Sequence, residues 1–136
     1  MSPPRTVYLA SPLSGDVERN QNYARAAMKD SLGRGEAPFV PHLLYTQVLD
    51  DTKPLEREAG MRAGTAILIQ CDKLVAYIDL GVSNGMKAEM DIARAYNIRI
   101  EERRLPAAEI CTDCRGSGIR GLVVCWTCKG KGEVSQ

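Results

Sequence analysis

The chain has 136 residues, of which 44% are hydrophobic and 26% are charged, so its length suits one ordinary domain with a small appendage. Its 18 Lys and Arg residues against 17 Asp and Glu residues give a net charge of +1, which argues against a protein that works mainly by binding nucleic-acid phosphates or anionic lipid. The longest apolar run near the middle, residues 74–78, has the length of a strand and not of a membrane span. Residues 1–5 lack the apolar stretch of a signal peptide, so we expect a cytoplasmic protein with no membrane segment.

Strand-like and helix-like segments alternate along residues 5–104. In chain order, the pattern predicts a strand at residues 7–10, a helix at 17–32 and a second short strand at 39–40. A helix that starts within residues 51–54 and runs to about 69 follows, with Pro54 in its first turn. A nearly continuous apolar strand at 73–79, a helix at 84–96 and a strand at 98–100 complete the set. Gly60 and Gly64 lie on one face of the predicted helix that ends near residue 69 and indicate close packing there.

This alternation predicts an α/β fold, a Rossmann-like parallel sheet with helices on both faces. In such sheets ligands bind at the carboxyl ends of the strands. Those ends are the loop from Ser11 to Asp16, the segment 41–45 and the loop 79–84. From residue 101 to 109 the composition resembles a linker, so we predict an α/β domain at 1–104 and a second module at 105–136.

Glu89 occupies an unusual position on the predicted helix 84–96. At about 100° per residue, Lys87, Asp91 and Arg94 form the solvent face, and Glu89 lies almost opposite them within the apolar arc. A carboxylate in that place costs several kcal/mol unless it is paired or hydrogen-bonded. We therefore expect Glu89 either to be satisfied by a partner in the core or to face a cavity.

The start of this helix favours an anion. Ser83, Asn84 and Gly85 open the helix at the carboxyl end of a strand, where free N–H groups and the helix dipole attract negative charge. Glu89 follows about four residues later, roughly 6 Å along the axis. That distance is close to the span between the 5′-phosphate and the C1′ carbon of a nucleotide.

Three segments resemble the nucleoside 2-deoxyribosyltransferase superfamily: residues 7–12 (VYLASP), 71–79 (CDKLVAYID) and 83–89 (SNGMKAE). The resemblance implies a Rossmann-like fold over about residues 5–101 and a nucleophilic Glu89 that attacks C1′. It further implies that Asp72 orients or protonates the leaving base and that Tyr8 lies beside the nucleophile. Members of this superfamily commonly complete their sites across a subunit interface, so the resemblance also implies a homo-oligomer.

Ser83 stands where nucleoside transferases of the superfamily usually carry Asp, and in this the chain resembles the 2′-deoxynucleoside 5′-phosphate N-hydrolases. A carboxylate there would repel a substrate phosphate, whereas Ser and backbone N–H groups attract it. The turn at Ser14 and Gly15 could supply further donors, although those hydrolases place Arg at the position of Ser14. The chain also resembles an uncharacterised domain family that is frequent in phage genomes.

Several other candidates have both a functional and a structural interpretation. Asp72 could be a cap and Tyr8 a core residue, and Asp79 could simply begin a loop. His42, the only histidine, lies on the ligand edge as a possible contact to base or sugar, or it is an ordinary satisfied side chain. Cys71 is expected to pack as a small hydrophobic residue.

The remaining cysteines form two CxxCxGxG motifs, at residues 111–118 and 125–132, which resemble one pair of the zinc-region repeats of DnaJ-type chaperones. Four thiolates with this spacing predict a closed, structural Zn²⁺ site, and no cofactor is expected for catalysis. The ligands would be Cys111, Cys114, Cys125 and Cys128. Residues 107–136 carry four basic and three acidic side chains, a poor basis for nucleic-acid binding. Leu122, Val123, Val124 and Trp126 favour a protein partner instead.

Together these features predict hydrolysis or transfer at the N-glycosidic bond of a nucleoside 5′-monophosphate, through a covalent ribosyl–glutamate intermediate. The alternative is a non-catalytic nucleotide-sensing or protein-interaction module that uses the same pocket. A third hypothesis, a zinc-dependent nucleic-acid binder, predicts strongly salt-dependent binding to DNA or RNA.

Overall fold

Four parallel strands form the sheet of the larger of two units, in the order β2-β1-β3-β4. They are β1 (Thr6–Ala10), β2 (Ala37–Phe39), β3 (Lys73–Tyr77) and β4 (Arg99–Arg103). The computed structural model describes residues 2–106, 109–110, 119–120, 123–124, 129–131 and 133–134. The chain divides at residue 105, into Met1–Leu105 and Pro106–Gln136. The α/β class and the parallel sheet that the sequence predicts are confirmed.

Side-chain alternation along β1 divides the core of the larger unit into two layers. Val7 and Leu9 pack with buried side chains of helix α1 (Val17–Gly33) on one face of the sheet. Tyr8 and Ala10 pack on the other face, which is covered by helices α3 (Pro54–Leu68) and α4 (Asn84–Ala95). A short helix α2 (Pro41–Leu44) and a 3₁₀ turn (Tyr45–Gln47) link β2 to α3.

The chain reverses its winding direction between β1 and β3. The connection through α1 leads from β1 outward to β2, and the connection through α4 leads from β3 outward to β4 on the opposite side. The carboxyl ends of β1 and β3 therefore flank the topological switch point, which is where open α/β sheets bind their ligands.

Helix starts follow the capping chemistry of their sequences. The Asp16 side chain accepts a hydrogen bond from the Arg19 backbone N–H at 3.0 Å and caps α1. Ser83 caps α4 by accepting from the Met86 backbone N–H at 3.2 Å. Such caps each stabilise a helix by about 1 kcal/mol. The cap at Ser83 fixes where α4 begins and therefore how far Glu89 lies from the start of the helix.

The two edge strands differ from their predicted positions. Strand β2 begins two residues before the predicted 39–40, and β4 continues to Arg103 where the sequence resembles a linker. That linker prediction is wrong for residues 101–103, because they form a strand in which the charges of Glu101 and Arg103 are paired inside the fold. Arg103 is only 7% exposed and its guanidinium donates to Glu36 at 2.8 Å. Lys73 pairs with both Glu36 and Glu101, at 2.8 and 3.1 Å.

The smaller unit contains two pairs of antiparallel strands among its described residues. Strand β5 (Glu109–Ile110) pairs with β8 (Glu133–Val134), and β6 (Ile119–Arg120) pairs with β7 (Val123–Val124). The four cysteines predicted to bind zinc lie outside the described residues. Across the described ranges of both units, no helix has the combination of length and apolar content that a membrane-spanning segment needs.

Candidate active site

A cavity of about 150 Å³ opens among α2, α3, the start of α4 and the loop after β1. That volume is well above the roughly 10–15 Å³ that a single water needs on this measure. Six residues predicted for the site line it: Tyr8, Ser14, His42, Ser83, Gly85 and Glu89. The predicted ligand edge of the sheet therefore does carry a cavity.

Glu89 projects inward from α4, as the helical wheel predicts. Lys87, Asp91 and Arg94 of the same helix are exposed, whereas Met86 and Met90 are buried on the side that faces the sheet. The Glu89 side chain lines the cavity, and its Oε2 atom is buried without a hydrogen-bond partner among the described residues. Within residues 2–106, the Glu89 carboxylate forms no salt bridge with a described residue.

Burial controls the protonation of this carboxyl group. Loss of hydration raises the pKa of Glu89 from 4.5 to about 7, although a hydrogen bond with Tyr8 acts in the opposite direction. Near neutral pH, both the protonated and the ionised forms of Glu89 are therefore populated. An incompletely solvated carboxylate that faces a cavity is a typical nucleophile or general base.

Tyr8 is the hydrogen-bond partner of Glu89. Its ring is 4% exposed, and burial together with the negative charge of Glu89 raises the pKa of its hydroxyl well above the usual value. The hydroxyl therefore stays protonated and can donate to the carboxylate. Helix α3 passes close to the same group, since a Cβ added at Gly64 would lie 3.1 Å from the Tyr8 hydroxyl oxygen.

Ser83 and Gly85, at the start of α4, line the same cavity as Glu89. The Ser83 hydroxyl accepts from the Met86 backbone N–H, so its own proton is free to point at a ligand. Ser14 contributes from the loop after β1. The donors expected to attract an anion thus share one cavity with the candidate nucleophile.

His42 is the second titratable group of interest in the cavity. It lies in α2, directly after β2, and is half-buried. Burial lowers the pKa of His42, while a hydrogen bond with the Ser11 backbone and the charge of Asp51 act in the opposite direction. The imidazole is consequently neutral at pH 7, with one nitrogen engaged at Ser11.

Asp72 is not brought to the cavity. It precedes β3, at the amino end of the strand, and its carboxylate accepts from the Thr6 backbone N–H at 2.8 Å and from the Thr6 hydroxyl at 3.3 Å. This side chain is exposed and ties the starts of β1 and β3 together. The role that the resemblance implies for Asp72 gains no geometric support.

Four further predicted contacts do not line the cavity. Asp79 accepts hydrogen bonds from the Tyr23 hydroxyl and from the Leu105 backbone N–H, so it organises the loop after β3. The Ser11 side chain is buried, and its hydroxyl has no partner among the described residues. Gly15 and Asn84 adjoin Ser14 and Ser83 in the chain but are not part of the cavity wall.

Sequence reasoning missed the wall that the segment from 46 to 68 contributes. It includes three charged residues, Asp51, Glu56 and Arg57, and the apolar residues Leu49 and Met61, together with Thr46, Gly60, Thr65 and Leu68. The pair of glycines on one face of α3 was the available signal. That face approaches Tyr8 closely and so borders the cavity.

The part of the chain that the structure describes contains no group of three or more His, Cys, Asp or Glu side chains that could hold a metal ion.

Residues 5–103 match the family described as "Domain of unknown function (DUF7768)". The chain belongs to this family. No curated protein matches it. Its fold is similar to that of a 2-deoxyribosyltransferase from the psychrotolerant bacterium Bacillus psychrosaccharolyticus, with a TM-score of 0.58, 16% identity and coverage of 82% of this chain and 80% of that one.

A 2-desoxiribosyltransferase from Leishmania mexicana is a second similar structure, with a TM-score of 0.52 and 15% identity over 97% of this chain and 79% of that one. At these identities the likeness establishes a shared fold. The deoxyribosyltransferase-like fold that the sequence motifs predict is therefore confirmed for this DUF7768 member.

Proposed function

We propose that this DUF7768 member is an enzyme that cleaves the N-glycosidic bond of a nucleoside 5′-monophosphate, with Glu89 as the nucleophile. The observation that carries the proposal is the Glu89 carboxyl group, which is buried, lines a cavity and leaves one oxygen without a partner among the described residues. The fold shared with proteins named as 2-deoxyribosyltransferases supports a reaction at a nucleoside sugar.

In the first step, an ionised Glu89 oxygen attacks C1′ of the sugar. The C1′–N bond breaks, its electron pair stays with the base, and the base takes up a proton from solvent as it leaves. The product on the protein is a ribosyl ester of Glu89, formed through an oxocarbenium-like transition state. The Tyr8 hydroxyl donates to the carboxylate and holds it in place for the attack.

The phosphate of the substrate would bind at the start of α4. Ser83 and Gly85 border the same cavity as the nucleophile, and helix N-termini bind phosphate through free N–H groups and the dipole. Four residues of helix separate Ser83–Gly85 from Glu89, roughly 6 Å along the axis. This spacing suits a ligand whose phosphate and C1′ carbon are both engaged.

The direct test is chromatographic detection of free base after incubation with a panel of nucleoside and deoxynucleoside 5′-monophosphates. We expect base release by the parent protein and a loss of at least a thousandfold in Glu89→Gln, because removal of the nucleophile removes the covalent route. The matched control is Glu102→Gln, an exposed carboxylate on β4, which should leave the rate unchanged. Equal rates for the parent and Glu89→Gln would refute the assignment, and ligand-induced stabilisation without base release would indicate nucleotide sensing instead.

Ser83→Asp tests the phosphate end separately. Asp is as good a helix N-cap as Ser, so α4 should stay folded while a carboxylate now faces the phosphate. We expect monophosphate cleavage to fall at least tenfold relative to cleavage of the uncharged nucleoside. An unchanged preference would place the phosphate elsewhere.

We also propose that the CxxC pairs hold a structural Zn²⁺. Cys111 directly follows β5 in the sequence and Cys125 directly follows β7. Strands β6 and β7, which lie between the two CxxC motifs in the sequence, pair antiparallel with Ile119 opposite Val124. Four thiolates form a closed tetrahedral set that suits zinc.

Elemental analysis of the purified protein tests this second proposal. We expect one zinc per chain, and its loss in the Cys111→Ser/Cys114→Ser double variant. Cys71→Ser serves as the control, because Cys71 is buried in the core of the larger unit. A zinc content below a tenth of an equivalent in freshly purified parent protein would refute the proposal.

A further inference from the structure

The ribosyl ester of Glu89 has to be released by an acceptor, and the cavity contains one group suited to prepare water for that step. The inference rests on the proposed function, since it concerns the second half of the same reaction. A general base accelerates such a step by about 10²–10⁴-fold when it lies within hydrogen-bond reach of the attacking water. The cavity wall offers His42 and two carboxylates, Asp51 and Glu56, besides Glu89 itself.

His42 has the geometry of a base held in one orientation. It borders the same cavity as Glu89 from the facing element α2, and its ring hydrogen-bonds to the backbone of Ser11. A ring that donates one N–H to a backbone carbonyl oxygen keeps its second nitrogen as a proton acceptor.

Different groups around the His42 ring act on its two protonation states. Burial keeps the imidazole neutral at rest. Asp51 interacts electrostatically with the ring and borders the same cavity, so a proton taken up by His42 would have a negative charge nearby. A negative charge nearby favours the protonated form of an imidazole.

The two carboxylates are less suitable. Glu56 accepts a hydrogen bond from the Asp50 backbone N–H at 3.2 Å and pairs with Lys53 at 3.6 Å. Asp51 is exposed and interacts electrostatically with the His42 ring, so it serves as a partner of His42. Asp72 lies at the opposite edge of the sheet, so it is not available for this step.

We propose that His42 is the general base that activates water for hydrolysis of the ribosyl–Glu89 ester, which makes the enzyme a hydrolase and not a transferase. The acceptor nitrogen of His42 takes a proton from water while the water oxygen forms a bond to C1′. The bond between C1′ and the Glu89 oxygen breaks, and its electron pair returns to Glu89 as a free carboxylate. The imidazolium then releases its proton to solvent, so the cycle balances.

The test is His42→Gln, whose amide can keep the bond to Ser11 but cannot accept a proton. We expect a rapid burst of free base equal to one per site, followed by turnover reduced about 10²–10⁴-fold, with the ribosyl ester accumulating on the protein in mass spectra. Added azide, a nucleophile that needs no base, should restore turnover and form a ribosyl azide phosphate. Gln47→Ala is the control, because it removes the Gln47 bond to the Leu43 carbonyl in the same segment and should show neither effect.

An unchanged steady rate in His42→Gln, or a slow rate without ester accumulation and without azide rescue, would overturn the role of His42. If the variant does not fold, the parent protein decides the question. Its ester hydrolysis should slow roughly twofold in D₂O whereas its reaction with azide should not, and equal isotope effects would overturn the proposal. The proposed function fails by a different result, an active Glu89→Gln, so the two failures can be told apart.

Discussion

Glu89→Gln should make the protein more stable above neutral pH although it abolishes the proposed reaction. Burial raises the pKa of Glu89 from 4.5 to about 7 in the folded chain. Between these values the folded protein keeps a proton that the unfolded chain releases, so stability falls as pH rises through this window. The whole difference is about 3 kcal/mol, at about 1.4 kcal/mol per pH unit.

Gln has nearly the shape of Glu, can accept from Tyr8 through its carbonyl, and carries no charge. The variant therefore escapes the penalty, while leaving one buried amide imperfectly paired costs about 1 kcal/mol. Relative to the parent, we expect Glu89→Gln to be slightly destabilised near pH 4.5 and stabilised by about 2 kcal/mol at pH 8. Between pH 4.5 and pH 8, the stability difference between Glu89→Gln and the parent should therefore change by about 3 kcal/mol. All other titrating groups are shared by the two proteins, so this change reports on Glu89.

Urea unfolding followed by circular dichroism, at several pH values from 4.5 to 8 with zinc present throughout, would measure it. Glu102→Gln is the control, since it removes an exposed carboxylate that does not line the cavity. If the free energy of unfolding of Glu89→Gln changes with pH in the same way as that of the parent, Glu89 is hydrated in solution. Glu89 would then not be a buried nucleophile.

Two further substitutions distinguish a residue that affects the reaction, Gly64, from one that affects only stability, Asp72. Gly64→Ala places a Cβ 3.1 Å from the hydroxyl of the buried Tyr8 and should lower kcat at least tenfold. Gly33→Ala, at the end of α1 and away from the cavity, places a Cβ that meets no atom within 4 Å and should leave kcat unchanged; equal rates of base release in both would contradict this account of Tyr8. Asp72→Ala should lower the free energy of unfolding by about 1–2 kcal/mol, because it removes two hydrogen bonds from Thr6, without changing kcat; a large loss of kcat in a folded variant would restore a catalytic role for Asp72.

Periodicity predicted the part of the fold that repeats regularly. Helix α4 and its inward-facing Glu89 follow from residue spacing alone, since a wheel projection reports burial whenever one face packs on a sheet. The buried strand β3 is likewise marked by its apolar run. The edge strand β4 was missed over residues 101–103 because its charges are neutralised by Glu36 and Lys73, which are distant in sequence.

The cavity wall was predicted only in part, for a similar reason. Which side of α3 borders the cavity depends on its packing against Tyr8, so Arg57 and Met61 carry no local signal. Asp72 is a different case. A residue before a parallel strand lies at the amino edge of the sheet, and this rule already separates Asp72 from the loops at the carboxyl edge.

The most direct test of the central claim is to trap the covalent intermediate on Glu89. A 2′-fluoro nucleoside 5′-monophosphate destabilises the oxocarbenium-like transition state and should slow release of the ester. After trypsin digestion, mass spectrometry should find the fluorinated sugar phosphate on the peptide of residues 88–94, with fragment ions assigning it to Glu89 and not to Asp91. Release of base with no label on that peptide, or with the label on another residue, would contradict the account.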